Sequence, residues 1–468
     1  MRVVIIGAGI GGLVAALLLA QAGEDVTVLE AGPAAGGKLH QIAVGAARID
    51  AGPTVFTMRA VFDRIFAAAG TTMEAHLTLN KLDVLARHAW PDGSRLDLFA
   101  DQARNVDEFG RFGGAAAARG YTDFAKRSRQ IFELLDKPFM QIPQPGLLGL
   151  MARAGPGIAG ISPFASLWDE LGKYFADPRL RQLFGRYATY CGSSPFEAPA
   201  TLMLIAHAEA MGVWSIAGGM IRLAEVLQSL AEKAGARFLF NTTVTDIQVA
   251  QGRVAGVAAG QDSFAADAVI ANADLAAIGA GLLGKAAQRA VAGKLRGAKP
   301  ALSAITWAMT GHCDGMALAH HNVFFAPDYP AEFSDLRNGR APQTPTVYIN
   351  APGDGAYFAL INAPANGLAA GPEHLAATLA QLKSCGLTLT PNEAVQTAPA
   401  GWSRKFPATG GALYGRALAG WKDSFARPGA ITKLPGLYLA GGGVHPGPGL
   451  PMAATSGRIA AQCVLKRK

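Results

Sequence analysis

Arg2-Val3-Val4-Ile5-Ile6-Gly7-Ala8-Gly9-Ile10-Gly11-Gly12-Leu13 is the stretch that decides the fold. Residues 2–6 are a short β-branched apolar run closed by glycine, the form of a buried parallel strand. Residues 7–12 read as a glycine turn, and 13–21, rich in Ala and Leu, as a helix stopped near Gly23. A second strand, 25–29, ends at Glu30, so the whole is one βαβ unit with very short loops. Gly7, Gly9 and Gly12 supply the spacing G-x-G-x-x-G. Gly7 permits the tight turn, Gly9 lets a pyrophosphate approach the backbone, and Gly12 lets the helix pack closely on the sheet. Phosphate then sits on the helix N-terminus, where free N–H groups point outward. Glu30, eighteen residues past Gly12, is placed to accept hydrogen bonds from a ribose diol.

Working outward, Gly36-Gly37-Lys38 adds a second phosphate-proximal loop with a cation, and Asp50-Ala51-Gly52-Pro53 another close backbone approach. At the far end, a strand over 437–440 leads through a glycine-rich turn to a closing helix over 452–465. Five Gly and three Pro fall within residues 441–451, so backbone N–H groups meet a flat or charged ligand at close range. The middle of the chain changes pattern. A helix is expected over 58–69, then a hairpin of 84–90 with 95–99 around Pro91-Asp92-Gly93. From about 106 to 209 the pattern is mostly helical with recurring aromatics, as in a cap with an apolar interior. An amphipathic helix over 220–234 precedes strands at 237–240, 244–249, 253–258 and 263–270, the last running into Asn272. Further strands are expected at 304–310, 322–326, 346–350 and 357–362, and a helix at 372–383. This predicts an α/β protein with a Rossmann-type domain formed by 1–75, 210–280 and 430–468. A mixed-sheet substrate domain takes 76–105 and 281–429, and the helical cap 106–209.

Composition narrows the function. Apolar residues make up 50% of the 468 residues and charged ones only 16%, against about 25% in an ordinary soluble domain, so the surplus can line a cavity or meet lipid. The net charge of +8 is diffuse, with no basic stripe of the kind nucleic acid requires. It fits an anionic membrane face, or a basic protein with no such partner. Four distant Cys and no H-E-x-x-H spacing argue against a structural metal or a disulfide scaffold, and a reducing cytoplasmic compartment is expected. The opening strand leaves no room for a signal peptide, and no apolar run is long enough to cross a bilayer. Membrane contact is therefore expected to be peripheral. Residues 154–168, free of charge until Trp168 but broken by Pro156 and Pro163, read as a loop or re-entrant edge.

The glycine segments at both ends resemble those of FAD-containing enzymes in the amine oxidase and phytoene desaturase superfamily. Over nearly the whole chain the resemblance extends to the bacterial carotenoid desaturases. Within them it is greatest to the 1-hydroxycarotenoid 3,4-desaturases of purple phototrophic bacteria. It is carried by Asp50-Ala51-Gly52-Pro53-Thr54-Val55, Ala86-Arg87-His88-Ala89-Trp90-Pro91-Asp92-Gly93, His320-His321-Asn322-Val323-Phe324-Phe325, Asp328-Tyr329-Pro330-Ala331-Glu332-Phe333, Gly410-Gly411-Ala412-Leu413-Tyr414-Gly415 and His445-Pro446-Gly447-Pro448-Gly449-Leu450-Pro451-Met452.

The resemblance implies FAD, held by Gly7, Gly9, Gly12, Glu30, Gly36, Gly37, Lys38, Gly52, Pro53, Val244 and Asn272, with Gly441, Gly442, Gly443, Gly449, Leu450 and Pro451 at the flavin end. It also implies oxidation of the C3–C4 bond of an acyclic 1-hydroxycarotenoid, on the route to spheroidene or spirilloxanthin. The chemistry is hydride transfer to the flavin followed by loss of a proton. No catalytic side chain is required beyond a weak base or water. His445 either hydrogen-bonds the flavin end or satisfies a backbone carbonyl. His320 and His321 either meet the substrate hydroxyl or form a surface-loop pair. Gly218-Gly219-Met220 resembles a turn near the flavin, or is an ordinary helix start. Electrons leave to a membrane quinone or to oxygen, and a C40 polyene is collected from lipid. Competing readings are a desaturase of phytoene or another non-hydroxylated carotene, an amine oxidase, and a non-catalytic lipid-handling protein of the same fold.

Overall fold

The computed structural model describes residues 1–144, 146–154 and 164–466. Its centre is a five-stranded parallel sheet in the order Arg237–Leu239, Asp25–Leu29, Arg2–Ile6, Ala268–Ala271, Leu437–Leu439. Three distant stretches of chain thus make one sheet. The strand Arg2–Ile6 sits in its middle, which is why Val3, Val4 and Ile5 are buried with no polar alternation. The helix Ile10–Gln21 covers one face, and the C-terminal helix Leu450–Leu465 packs directly beside it. The contact depends on glycine: a Cβ on Gly457 would stand 2.1 Å from the Gly11 carbonyl oxygen.

A seven-stranded sheet forms the second body. Its order is Leu387–Thr397, Ser303–Gly315, Ala356–Ala363, Val347–Gly353, His321–Phe324, Val84–Ala89, Arg95–Phe99. All neighbours are antiparallel except His321–Phe324 with Val84–Ala89. The predicted hairpin around Pro91-Asp92-Gly93 forms the last two strands. Against the seven-stranded sheet packs a helical layer opened by Gln102–Leu135, which breaks at Gly113 and Gly114, where Gly114 has φ 74°. Phe109, Tyr121, Phe124, Phe175 and Phe184 stack inside it, with ring centroids 4.1–5.9 Å apart in successive pairs.

Two strand expectations change. The single strand expected over 263–270 is two, Asp262–Ala265 in a three-stranded antiparallel sheet and Ala268–Ala271 in the parallel one. The chain crosses between sheets at Asp267, whose N–H donates to the Arg2 carbonyl while its carboxylate accepts from the Arg2 N–H at 2.8 Å. The strand Leu387–Thr397 was not legible because Pro391 interrupts it; it lies on the sheet edge, and Pro391 falls at a register shift. Of the expected loop over 154–168, residues 155–163 lie outside those described, and Leu167–Leu171 is a short helix.

Candidate functional site

One cavity of 1390 Å³ runs from the glycine turns of the parallel sheet, across inner strands of the seven-stranded sheet at Thr306, Val323, Tyr348 and Leu360, into the helical layer. Pockets for small ligands occupy about 300–1,000 Å³, so this space suits a large ligand or two ligands end to end. At its inner end two helix N-termini converge. Gly9 precedes Ile10–Gln21 and Gly449 precedes Leu450–Leu465; neither helix has a side-chain cap or an acidic residue in its first turn. The unsatisfied N–H groups of both therefore stay available to an anion. Glycine lets the chain segments close around this point. A Cβ on Gly11 would lie 2.6 Å from Asn272 Oδ1 and 2.9 Å from the Gly441 nitrogen, and one on Gly52 only 1.8 Å from the Lys38 carbonyl oxygen. Asn272 Nδ2 donates to the Gly7 carbonyl at 3.0 Å and holds the first turn in place. Glu30 accepts from the N–H groups of Ala8 and Gly32, both at 2.7 Å.

Of the residues expected to hold the cofactor, Gly7, Gly9, Glu30, Gly36, Gly37, Lys38, Gly52, Pro53, Val244, Asn272, Gly441, Gly442, Gly443, Gly449, Leu450 and Pro451 all line this cavity. Gly12 lies behind it, where a Cβ would stand 2.1 Å from the Gly7 carbonyl oxygen, so its role is close packing of turn and helix. Lys38 turns its ammonium to the Leu413 carbonyl, 5.1 Å from the Phe406 ring, rather than to the helix N-termini. Burial lowers its pKa, opposed by Asp274.

The histidine readings are resolved differently. His445 is buried and is not among the lining residues; its Nε2 meets the Phe139 carbonyl at 2.7 Å, so it satisfies a backbone group. Burial brings its pKa down to about 4. His320 and His321 are not a surface-loop pair, and neither lines the cavity. His321 opens a buried inner strand at 2% exposure, and its Nδ1 pairs with the Tyr348 hydroxyl at 2.7 Å. Burial, then His320 and Arg186, hold its pKa well below 6.5, so the ring is neutral. Gly218-Gly219-Met220 packs behind Asp50, whose carboxylate accepts from the Met220 N–H at 2.7 Å, and does not line the cavity.

The cavity also has polar residues that no motif announced. Arg186, Tyr190 and Glu209 line it where the helical layer meets the large sheet. Tyr187 and Tyr190 donate to the two oxygens of Glu209 at 2.5 and 2.9 Å, and Arg186 Nη1 bonds the Tyr190 hydroxyl. Arg427, 2% exposed, braces the C-terminal turn by donating to the carbonyls of Tyr414, Gly442 and Arg416. Isolated arginines and tyrosines at irregular spacing carry no sequence signal for either role.

Residues 10–465 match the family of flavin-containing amine oxidoreductases. The chain belongs to that family. Within it the chain groups with the carotenoid desaturases. It is 46% identical to a hydroxyneurosporene desaturase of Rubrivivax gelatinosus, over 99% of this chain and 93% of that protein. It is 30% identical to a 1-hydroxycarotenoid 3,4-desaturase of a Flavobacterium species, over 99% of each. An oxidoreductase from Methanosarcina mazei shares the fold across 100% of both chains, with TM-score 0.64 and 18% identity.

This flavin-dependent oxidoreductase takes FAD as its cofactor. The cradle fits that group, since two uncapped helix N-termini meet where a pyrophosphate needs donors and glycines leave the backbone open beside them. Gly7, Gly9, Gly11 and Gly449 would take the phosphates, Glu30 and Val244 the adenosine end, and Gly52, Pro53 and Gly441–Gly443 the flavin end.

Proposed function

We propose that this protein is an FAD-dependent carotenoid desaturase that introduces the C3–C4 double bond in acyclic carotenoids bearing a hydroxyl at C1. The observation that carries the reading is the continuity of the cavity. The same space lined by Gly441, Gly442 and Gly52 extends along Leu135, Phe139, Leu202 and Leu418, an apolar course suited to a polyene. Relatives named for hydroxylated carotenoids, matched over nearly their whole length, support the choice of substrate.

FAD, when bound, supplies a two-electron acceptor for hydride. The chain's own residues bind, orient and keep out water. Arg427 and Asn272 fix the turns that present the flavin end, and the apolar walls exclude solvent from the reacting carbons. The Tyr348 hydroxyl, bonded to Thr54 Oγ1 at 2.7 Å and to His321, keeps its proton because burial raises its pKa. Tyr348 lines the cavity with that hydroxyl engaged by these two partners, and the departing proton goes to a weak base or water. Electrons pass on to a membrane quinone or to oxygen.

Among the described residues no helix is long and apolar enough to cross a membrane. We propose contact by a rim. Met151 and Phe164 line the cavity yet are 49% and 79% exposed, and Phe164 meets Trp421 edge-on at 5.4 Å. Lys422, beside Trp421, adds positive charge suited to anionic headgroups.

The test is anaerobic incubation with FAD, vesicles and either a 1-hydroxylated acyclic carotenoid or phytoene. A red shift of the polyene spectrum and bleaching of the flavin with the hydroxylated substrate alone is the expected result. Conversion of phytoene alone would replace this reading with that of a non-hydroxylated carotene desaturase.

A further inference from the structure

Most of the cavity beyond the glycine turns is apolar, which makes the Arg186 cluster chemically out of place. Arg186 is 5% exposed, lies on the cavity wall, and carries a charge that cannot be shed. Two of its three nitrogens, Nε and Nη2, are buried with no hydrogen-bond partner among the described residues. Nη2 stands 3.5 Å from Glu209 Oε2, an ion pair too long to count as a good hydrogen bond. Among the described residues its side chain donates one hydrogen bond, through Nη1 to Tyr190, and its plane rests against the Tyr187 and Tyr190 rings at 4.8 and 5.3 Å. Buried donors left unsatisfied cost stability, so a native site that keeps them calls for a ligand or another explanation.

The neighbours define which ligand. Glu209 already takes both tyrosine hydroxyls, so the cluster has little net charge to offer a carboxylate or phosphate. What it offers is free N–H donors beside a carboxylate acceptor. One neutral hydroxyl satisfies both: its oxygen accepts from Arg186 and its hydrogen goes to Glu209. The cluster is also near the reacting end of the cavity. Tyr348 lies close enough to Arg186 and Glu209 to be influenced by their charges, and its hydroxyl bonds Thr54, in the Gly52–Pro53 loop.

We propose that Arg186, with Glu209 and Tyr190, is the subsite that binds the tertiary hydroxyl of the carotenoid end group and so sets the enzyme's preference for hydroxylated substrates. This rests on the reading of the reaction given above. In such an end group a single methylene, C2, separates the hydroxyl-bearing C1 from C3. Anchoring the oxygen beside the Thr54 loop therefore fixes the C3–C4 bond at the flavin end of the cavity. An end group without oxygen leaves the buried Arg186 donors unpaired against an apolar ligand. That is the arrangement by which a polar pocket rejects an analogue lacking the hydroxyl. Arg186 and Glu209 are thus specificity-determining residues, and no bond to them forms or breaks.

The experiment compares FAD-saturated wild type, Arg186→Met and the double variant Arg186→Met/Glu209→Gln in detergent micelles. Each is titrated with an acyclic carotenoid bearing the C1 hydroxyl and with the same polyene lacking it, following the polyene absorption shift for Kd and flavin bleaching for single-turnover rate. Wild type is expected to favour the hydroxylated ligand by about 10- to 100-fold in Kd. In both variants the preference should fall to within about threefold, with binding of the hydrocarbon ligand unchanged or tighter. The double variant removes both charges together, so it decides the matter if the single variant, left with an uncompensated Glu209, does not fold. A preference retained in a variant with normal FAD content and melting temperature overturns the assignment of Arg186. A wild type that desaturates only the hydrocarbon overturns the reading of the reaction instead.

Discussion

Replacing Gly457 by Ala sets two physical effects against each other, and the structure says which wins. Gly457 lies inside the helix Leu450–Leu465 at ordinary helical φ, so propensity alone favours Ala by about 1 kcal/mol. The added Cβ, however, would stand 2.1 Å from the Gly11 carbonyl oxygen, 2.8 Å from its carbonyl carbon and 3.0 Å from its Cα. Ordinary C···O contacts fall at about 3.3–3.6 Å, so the two helices must part by roughly 1 Å. Overpacking of this kind costs about 1–3 kcal/mol, and both partners here are backbone, which cannot rotate away. Because neither partner can move aside, the upper part of that range, about 2–3 kcal/mol, applies, which leaves a net loss of about 1–2 kcal/mol after the propensity gain. The same shift moves Gly11 away from Asn272 and Gly441 and widens the cradle, so the FAD Kd should rise about tenfold, equivalent to 1.4 kcal/mol. Gly293→Ala is the control: this glycine is exposed, also helical, and a Cβ there meets nothing within 4 Å, so the variant should gain about 0.5–1 kcal/mol. Thermal melts with and without FAD, together with flavin-fluorescence titration, read both variants. Gly457→Ala as stable as Gly293→Ala, with unchanged FAD affinity, would refute the steric argument.

His445 is neutral in the fold, its pKa brought down to about 4 by burial and then Arg427 against the pull of the Phe139 carbonyl. Its contribution is therefore whole above pH 6.5 and lost as pH falls toward 4, with a slope of up to about 1.4 kcal/mol per pH unit. His445→Gln should flatten that limb of the melting-temperature profile, and parallel profiles would show that the ring is not held neutral. Glu30→Gln weakens the charge-assisted bonds to Ala8 and Gly32 and should raise the FAD Kd about tenfold; purification with full flavin content and unchanged Kd would count against the role of Glu30. Phe164→Asp with Met151→Asp should cut co-sedimentation with anionic vesicles about tenfold at unchanged FAD content, since a charge replaces apolar surface at the rim. Equal co-sedimentation would move the membrane contact elsewhere.

The sequence alone marked the glycine turns that line the cavity, because the rules that shape them are local. A glycine turn between a strand and a helix has few conformations, and Gly7, Gly9 and Glu30 follow from spacing within one βαβ unit. The C-terminal turn was legible for the same reason, since few sequences need so many Gly and Pro in so short a run. Tertiary structure decided what depends on distant chain segments. Gly457 meets Gly11 only because the last helix lies beside the first. His445 faces a carbonyl of the cap rather than the cavity, and His321 is buried as part of an inner strand of the large sheet. Arg186, Glu209 and Tyr348 come from different elements with no periodic relation, and only packing puts their charges and hydroxyls on one wall. Backbone sterics are written in neighbouring residues; the partners of a buried charge are chosen by the whole fold.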